Sequence, residues 1–64
     1  MSRLKEIRLT KGLTIDGLHE LSGVSVGAIS GIETGKIRNP NINTLRKLAG
    51  ALQADLNDLL DPME

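Results

Sequence analysis

A chain of 64 residues is long enough for one small domain with a modest core, so a single domain is expected over residues 1–64. The sequence contains no cysteine, which excludes disulfides and thiolate metal sites, and one histidine is too few for a zinc site. The absence of aromatic residues removes base stacking and argues against a protein that binds single-stranded nucleic acid.

The formal net charge is zero, but the charges are distributed unevenly along the chain. Residues 1–47 carry a net charge of +4, from eight basic and four acidic residues, whereas residues 48–64 contain four acids and no base. This asymmetry favours a basic binding surface backed by an acidic end. An ordinary mixed surface is the alternative, and the charge pattern alone does not decide between the two.

Neither a membrane span nor a signal peptide is expected from the sequence. The longest uncharged stretch, residues 21–32, is too short to cross a bilayer, and residues 1–15 lack the apolar core of a signal peptide. A cytoplasmic protein without membrane association is therefore expected.

The first two predicted helices are short and amphipathic. Apolar residues return at the helical spacing, and no segment alternates apolar and polar residues as a strand would. The first helix is expected to end at Gly12, and the second to begin at the N-cap Thr14 and to end at Gly23. The expected inner faces carry Leu4, Ile7 and Arg8 in the first helix, and Leu18 and Leu21 in the second.

Three further helices are predicted, with short connections between them. Ser25 caps a third helix of about residues 25–33, and Asn41 or Asn43 caps a fourth. A short fifth helix begins after Asp55. The expected inner positions of the third and fourth helices are Ala28, Ile29, Ile32, Leu45, Leu48, Ala49 and Leu52. The fifth helix carries Leu56, Leu59 and Leu60.

Three segments carry motifs at a continuous spacing. They read Arg8…Lys11-Gly12-Leu13-Thr14, Leu18-His19-Glu20-Leu21-Ser22-Gly23-Val24-Ser25 and Ile29-Ser30-Gly31-Ile32-Glu33-Thr34-Gly35-Lys36. With the leucine pattern that follows, they resemble the phage-repressor-like (Xre/Cro-like) helix-turn-helix regulators over residues 3–60, with one extra loop residue near Ile37. The resemblance implies an all-α fold, a compact five-helix bundle with a lambda-repressor-like DNA-binding domain.

The resemblance also implies which residues contact DNA. The second helix of such a motif lies in the major groove, and in this chain its base-reading positions are Ser25, Val26, Gly27, Ser30 and Gly31. Only the two serines can form side-chain hydrogen bonds, whereas Val26 is suited to a thymine methyl group. Phosphate contacts are expected from Lys11, Thr14, Lys36, Arg38 and Asn39.

Two structural interactions are also expected, of which the first follows from the same resemblance. Arg8 and Glu33 are expected to form an ion pair that ties the first helix to the end of the third, since a guanidinium can hold a carboxylate with two hydrogen bonds. A homodimer is expected to form through the fifth helix and the tail, at Leu56, Leu60, Pro62 and Met63. The alternative is that Leu56 and Leu60 complete the core of a monomer.

Two residues depart from the family pattern. Ile15 occupies a position where relatives usually carry a glutamine that holds a phosphate, and isoleucine cannot donate a hydrogen bond. His19 occupies a position where most relatives have a small residue. We expect His19 to be a partly buried packing residue rather than a pH switch.

The leading hypothesis for function is a sequence-specific transcriptional regulator that binds double-stranded DNA, expected to be a repressor acting as a homodimer. Because the third helix has few polar side chains, a protein-interaction module of the same fold that has lost base readout stays open. An autoregulating antitoxin is a third hypothesis. No nucleophile–base pair is recognisable, so neither enzymatic activity nor a cofactor is expected.

Overall fold

The computed structural model describes residues 3–59, and all the regular structure in this part of the chain is helical. The prediction of an all-α five-helix fold is confirmed. None of the helices within residues 3–59 is long and apolar enough to cross a membrane. The helices are α1 (Arg3–Thr10), α2 (Ile15–Ser22), α3 (Val26–Thr34), α4 (Ile42–Leu52) and α5 (Leu56–Leu59).

One aliphatic core joins the five helices. Helix α2 packs against both α3 and α4, and α1 lies against α3 and α5. The helices therefore surround a shared interior, in which burial of aliphatic surface is the main stabilising contribution. The buried apolar residues are Leu4, Leu18, Val24, Ile29, Ile32, Leu45, Leu48, Ala49, Leu52 and Leu59.

Side-chain caps determine where three of the helices begin. The side-chain oxygens of Thr14, Ser25 and Asn41 accept hydrogen bonds from backbone N–H groups two or three residues further along, at 2.8–3.1 Å. Each cap satisfies one of the N–H groups that the first turn of a helix leaves without a partner. Asn41, and not Asn43, therefore caps α4.

The predicted burial of Leu21 is wrong, because this side chain is 62% exposed. The buried face of α2 is centred on Leu18 and extends over Ile15, His19 and Ser22, which are all half-buried. Helical geometry places Leu21 about 60° to the other side of Leu18. The face that packs against α3 and α4 is therefore rotated away from Leu21.

Candidate nucleic-acid interface

A network of short hydrogen bonds closes the turn between α2 and α3. Gly23 has a positive φ of 77°, and its N–H donates to the His19 carbonyl at 2.8 Å. The Ser22 hydroxyl donates to the Leu18 carbonyl at 2.7 Å and accepts from the Val24 N–H at 3.1 Å. The His19 ring donates from Nδ1 to the Val24 carbonyl at 2.7 Å, since a carbonyl oxygen can only accept. The half-buried His19 thus bridges the turn.

The Arg8 guanidinium holds the other end of α3. Its Nε donates to Glu33 Oε2 at 2.7 Å, its Nη2 to Glu33 Oε1 at 3.0 Å and its Nη1 to the Leu13 carbonyl at 2.7 Å. Both side chains of the pair are almost fully buried. The hydrogen bond to Glu33 raises the pKa of Arg8 above its usual range, burial opposes this, and the charge of Glu33 adds to it. The structure therefore brings together Arg8 and Glu33 as expected from the resemblance.

The start of α3 is exposed at three of the five predicted base-reading positions. Ser25, Val26 and Gly27 are all exposed, and Ser30 is half-buried. The Ser25 oxygen accepts from the Ala28 N–H as the cap of the helix, which leaves the hydroxyl hydrogen available to donate. Two hydroxyls and one isopropyl group are thus the side-chain chemistry that this face of α3 presents.

Gly31 does not fit its predicted role, because it is buried beneath the side chain of Ile37. A Cβ atom at Gly31 would lie 2.7 Å from Ile37 Cδ1 and 2.9 Å from Ile37 Cγ1. The Ile37 N–H also donates to the Gly31 carbonyl at 3.0 Å, which fixes the loop against the helix. The expectation that Gly31 itself contacts bases is therefore corrected. The side chain that covers Gly31 comes from Ile37, and the extra loop residue near it is the only signal of this contact in the sequence.

The five candidate phosphate-binding residues are all exposed. Lys11 and Thr14 lie in the connection from α1 to α2, and the other three lie in the loop between α3 and α4. Thr14 accepts from the Gly17 N–H, so its hydroxyl hydrogen stays available to donate. A shallow depression joins Lys36 to the outer face of α3. Its lining residues are Gly27, Ser30, Gly31, Thr34, Gly35 and Lys36.

The predicted dimer surface is described only in part. Leu56 is half-buried and packs against the core, as the monomer alternative for this residue expects. Leu60, Pro62 and Met63 lie outside the described residues. Ile15 also packs against the core, so the side chain at the start of α2 contributes to packing. Within residues 3–59 no group of three or more acidic, histidine or cysteine side chains is arranged to hold a metal ion.

Comparison with known proteins identifies relatives that also contain a helix-turn-helix. The chain matches the family model described as "Helix-turn-helix" over residues 4–59. It is 38% identical over 58 residues to an uncharacterized HTH-type transcriptional regulator of Bacillus subtilis, RghRB, covering 91% of this chain and 42% of the relative. It is 40% identical over 58 residues to the HTH-type transcriptional repressor RghR of the same organism, covering 91% and 43%.

A third relative has a different name. The chain is 36% identical over 55 residues to a protein of Mycobacterium tuberculosis named as an antitoxin, HigA2, covering 86% of this chain and 54% of the relative. The chain thus spans about half the length of the curated relatives it matches. No solved structure matches it significantly. From the matched family and the arrangement of α2 and α3, this chain belongs to the Xre/Cro-like helix-turn-helix family of transcriptional regulators.

Proposed function

We propose that this chain binds double-stranded DNA with α3 in the major groove and acts as a homodimeric repressor. The observation that carries the proposal is the exposed start of α3, at residues 25–27, on a helix held at both ends. The closed turn at Gly23 fixes one end, and the pair of Arg8 with Glu33 fixes the other. A helix that enters the groove needs this combination of an exposed face and a fixed orientation.

The positions of the basic residues support binding to a polyanion. Lys36 and Arg38 follow α3 directly, and Lys11 precedes the N-terminus of α2, whose backbone N–H groups favour a phosphate. Three basic contacts from each subunit of a dimer would neutralise about six phosphates, which corresponds to a salt slope near −5.

The homodimer and the repressor activity rest on two further considerations. A single α3 with two hydroxyls offers few base contacts, and two half-sites about 34 Å apart would double them and fix the register. Repression is proposed because the relative RghR, at 40% identity, is named a transcriptional repressor. Because this chain spans less than half of RghR, the proposal concerns the DNA-binding part of such a regulator.

The experiment that tests DNA binding is repeated selection of duplexes from a random library, with protein shown to be helical, at about 0.1 M salt, near the physiological range. Enrichment of an inverted repeat with half-sites one helical turn apart is the expected result. Failure of a folded protein to enrich any duplex would contradict the proposal.

Two glycines supply a matched pair of variants for the selected duplex. Gly27 on α3 and Gly50 on α4 are both exposed, and a Cβ atom at either would meet nothing within 4 Å besides its chain neighbours and the backbone of its own helix. Gly27→Leu is expected to weaken DNA binding at least tenfold, because the side chain would occupy the space between α3 and the groove, whereas Gly50→Leu leaves binding unchanged. An equal effect of the two variants would place the DNA contact elsewhere.

The relative named as an antitoxin supports a second candidate, an autoregulating antitoxin that uses the same DNA-binding surface. A stable complex with the product of a neighbouring gene would favour it, and DNA binding alone does not distinguish it from a repressor.

The outer face of α3 carries few polar side chains. If the selection of duplexes fails, the remaining candidate is therefore the protein-interaction module. Such a module predicts that Gly27→Arg abolishes partner binding without lowering any residual affinity for DNA.

A further inference from the structure

The loop residue Ile37 extends the outer face of α3. Its side chain lies over Gly31, one helical turn after the exposed Gly27, and is itself 38% exposed. An isoleucine from outside the helix thus takes the position on the surface that a side chain at residue 31 would otherwise have.

This position of Ile37 is fixed by the backbone. The hydrogen bond from its N–H to the Gly31 carbonyl, at 3.0 Å, holds the loop, and the missing Cβ of Gly31 makes room for the side chain. Thr34 adds a longer hydrogen bond to the same carbonyl, at 3.4 Å. A side chain held in this way loses little conformational entropy when it contacts a ligand.

Charge distinguishes Ile37 from the other exposed aliphatic residues. It lies between Lys36 and Arg38 in the sequence, and Lys36 lines the depression beside Gly31. Leu9, Leu21 and Ile42 are also exposed, but none of them has a basic residue on both sides in the sequence. Ile37 is therefore an exposed apolar residue with an exposed cation on each side in the chain, a combination that suits a duplex groove flanked by phosphates.

An aliphatic side chain cannot form hydrogen bonds with base edges. The apolar group that the major groove offers is the 5-methyl group of thymine. We propose that Ile37, together with the exposed Val26, contacts thymine methyl groups, so that Ile37 is a specificity-determining residue. This proposal rests on the proposed binding of α3 to duplex DNA.

The test replaces single thymines of the selected duplex by deoxyuridine, which removes the methyl group and keeps the base pair unchanged. Substitution at one or more positions in each half-site is expected to lower the affinity of the wild-type protein about fourfold per half-site. This is the effect expected when one carbon atom fewer is buried in the complex. Ile37→Ala should bind the thymine and uracil duplexes equally at the position that Ile37 contacts. The matched control, Ile42→Ala, changes an isoleucine that is 48% exposed on α4 and should keep the full difference.

The outcomes separate this proposal from the proposed function. Tight binding that is insensitive to every uracil substitution would overturn the thymine contact and leave DNA binding intact. If Ile37→Ala keeps the full difference in affinity between the thymine and uracil duplexes, Ile37 covers Gly31 and does not contact a methyl group. A wild-type protein that binds no duplex would overturn the proposed function itself, and with it this proposal. If Ile37→Ala loses its helical circular dichroism, Ile37→Val removes one carbon and should reduce the difference between thymine and uracil in a folded protein.

Discussion

The Arg8 side chain joins three segments, since it donates to Glu33 at the end of α3 and to the Leu13 carbonyl after α1. Arg8→Ala would leave the Glu33 carboxylate buried without its cationic partner. Loss of one member of a buried pair costs about 3–5 kcal/mol, a large part of the stability of a small domain. We therefore expect a strongly lowered melting temperature, measured by circular dichroism.

Arg3→Ala is the control for this prediction. Arg3 Nε donates to the Asp58 carbonyl at 2.8 Å, but at an exposed site, where a hydrogen bond contributes about 0.5–1.5 kcal/mol. The melting temperature should therefore fall less for Arg3→Ala than for Arg8→Ala. Equal melting temperatures of the two variants would contradict a structural role for the pair of Arg8 with Glu33.

The contact between Gly31 and Ile37 predicts a coupling between two mutations. Alanine normally stabilises a helix relative to glycine by about 1 kcal/mol. In the wild-type background Gly31→Ala should lose this gain, because the new Cβ would lie 2.7 Å from Ile37 Cδ1. In an Ile37→Ala background the gain should return. Urea unfolding of the four proteins measures the coupling, and additive effects would refute the contact.

Gly31 also shows which features of the site the sequence predicts at the residue scale. The caps Thr14 and Ser25 follow from residue type and position, because a cap depends on a few neighbouring atoms. The pair of Arg8 with Glu33 follows from the family resemblance. The burial of Gly31 depends on where Ile37 lies after the end of α3, and no local pattern contains that information.

At the scale of elements, sequence periodicity predicts the number and order of the helices but not the orientation of every face. The core positions of α4 follow the predicted stripe, because an eleven-residue helix contains three turns of pattern. Helix α2 has only eight residues, and Leu18 alone among them is fully buried. Its orientation is decided by the packing of α3 and α4 and by the ring of His19, so periodicity alone predicts the wrong side for Leu21.

Helix α4 offers a prediction about stability. Gly50 lies within the helix and is exposed, and a Cβ there would meet nothing within 4 Å besides its chain neighbours and the backbone of its own helix. Gly50→Ala should therefore stabilise the protein by about 1 kcal/mol, since alanine has the higher helix propensity. The free energy of unfolding in urea measures the gain.

Gly17 in α2 is the matched control for Gly50→Ala. A Cβ at Gly17 would lie 3.3 Å from the Thr14 Oγ1 that caps the helix and 3.6 Å from Leu13 Cδ2. Gly17→Ala should therefore gain less stability than Gly50→Ala. The opposite order would mean that the contacts around the cap of α2 relax easily. It would also mean that helix propensity at residue 50 does not limit the stability of α4.

At the scale of the whole molecule, the fold separates the buried residues that stabilise it from the exposed basic residues proposed to bind DNA. The buried core and the pair of Arg8 with Glu33 hold α3 from its inner side. The exposed residues Lys36 and Arg38 add charge beside its outer face and are not part of the buried core. Substitution of these basic residues should therefore change affinity for DNA without changing the free energy of unfolding.

This separation leads to a prediction about salt dependence. For the proposed dimer, the logarithm of the affinity should fall with the logarithm of salt concentration with a slope of about −5, and Arg38→Ala should reduce its magnitude to about 3.5, since one phosphate contact is lost in each subunit. Lys47→Ala, which removes an exposed cation from α4, should leave the slope unchanged. A wild-type slope of about half the expected magnitude would indicate a single bound subunit. A slope near zero would remove electrostatic contact with phosphates as the basis of binding, because counterion release accompanies every such contact.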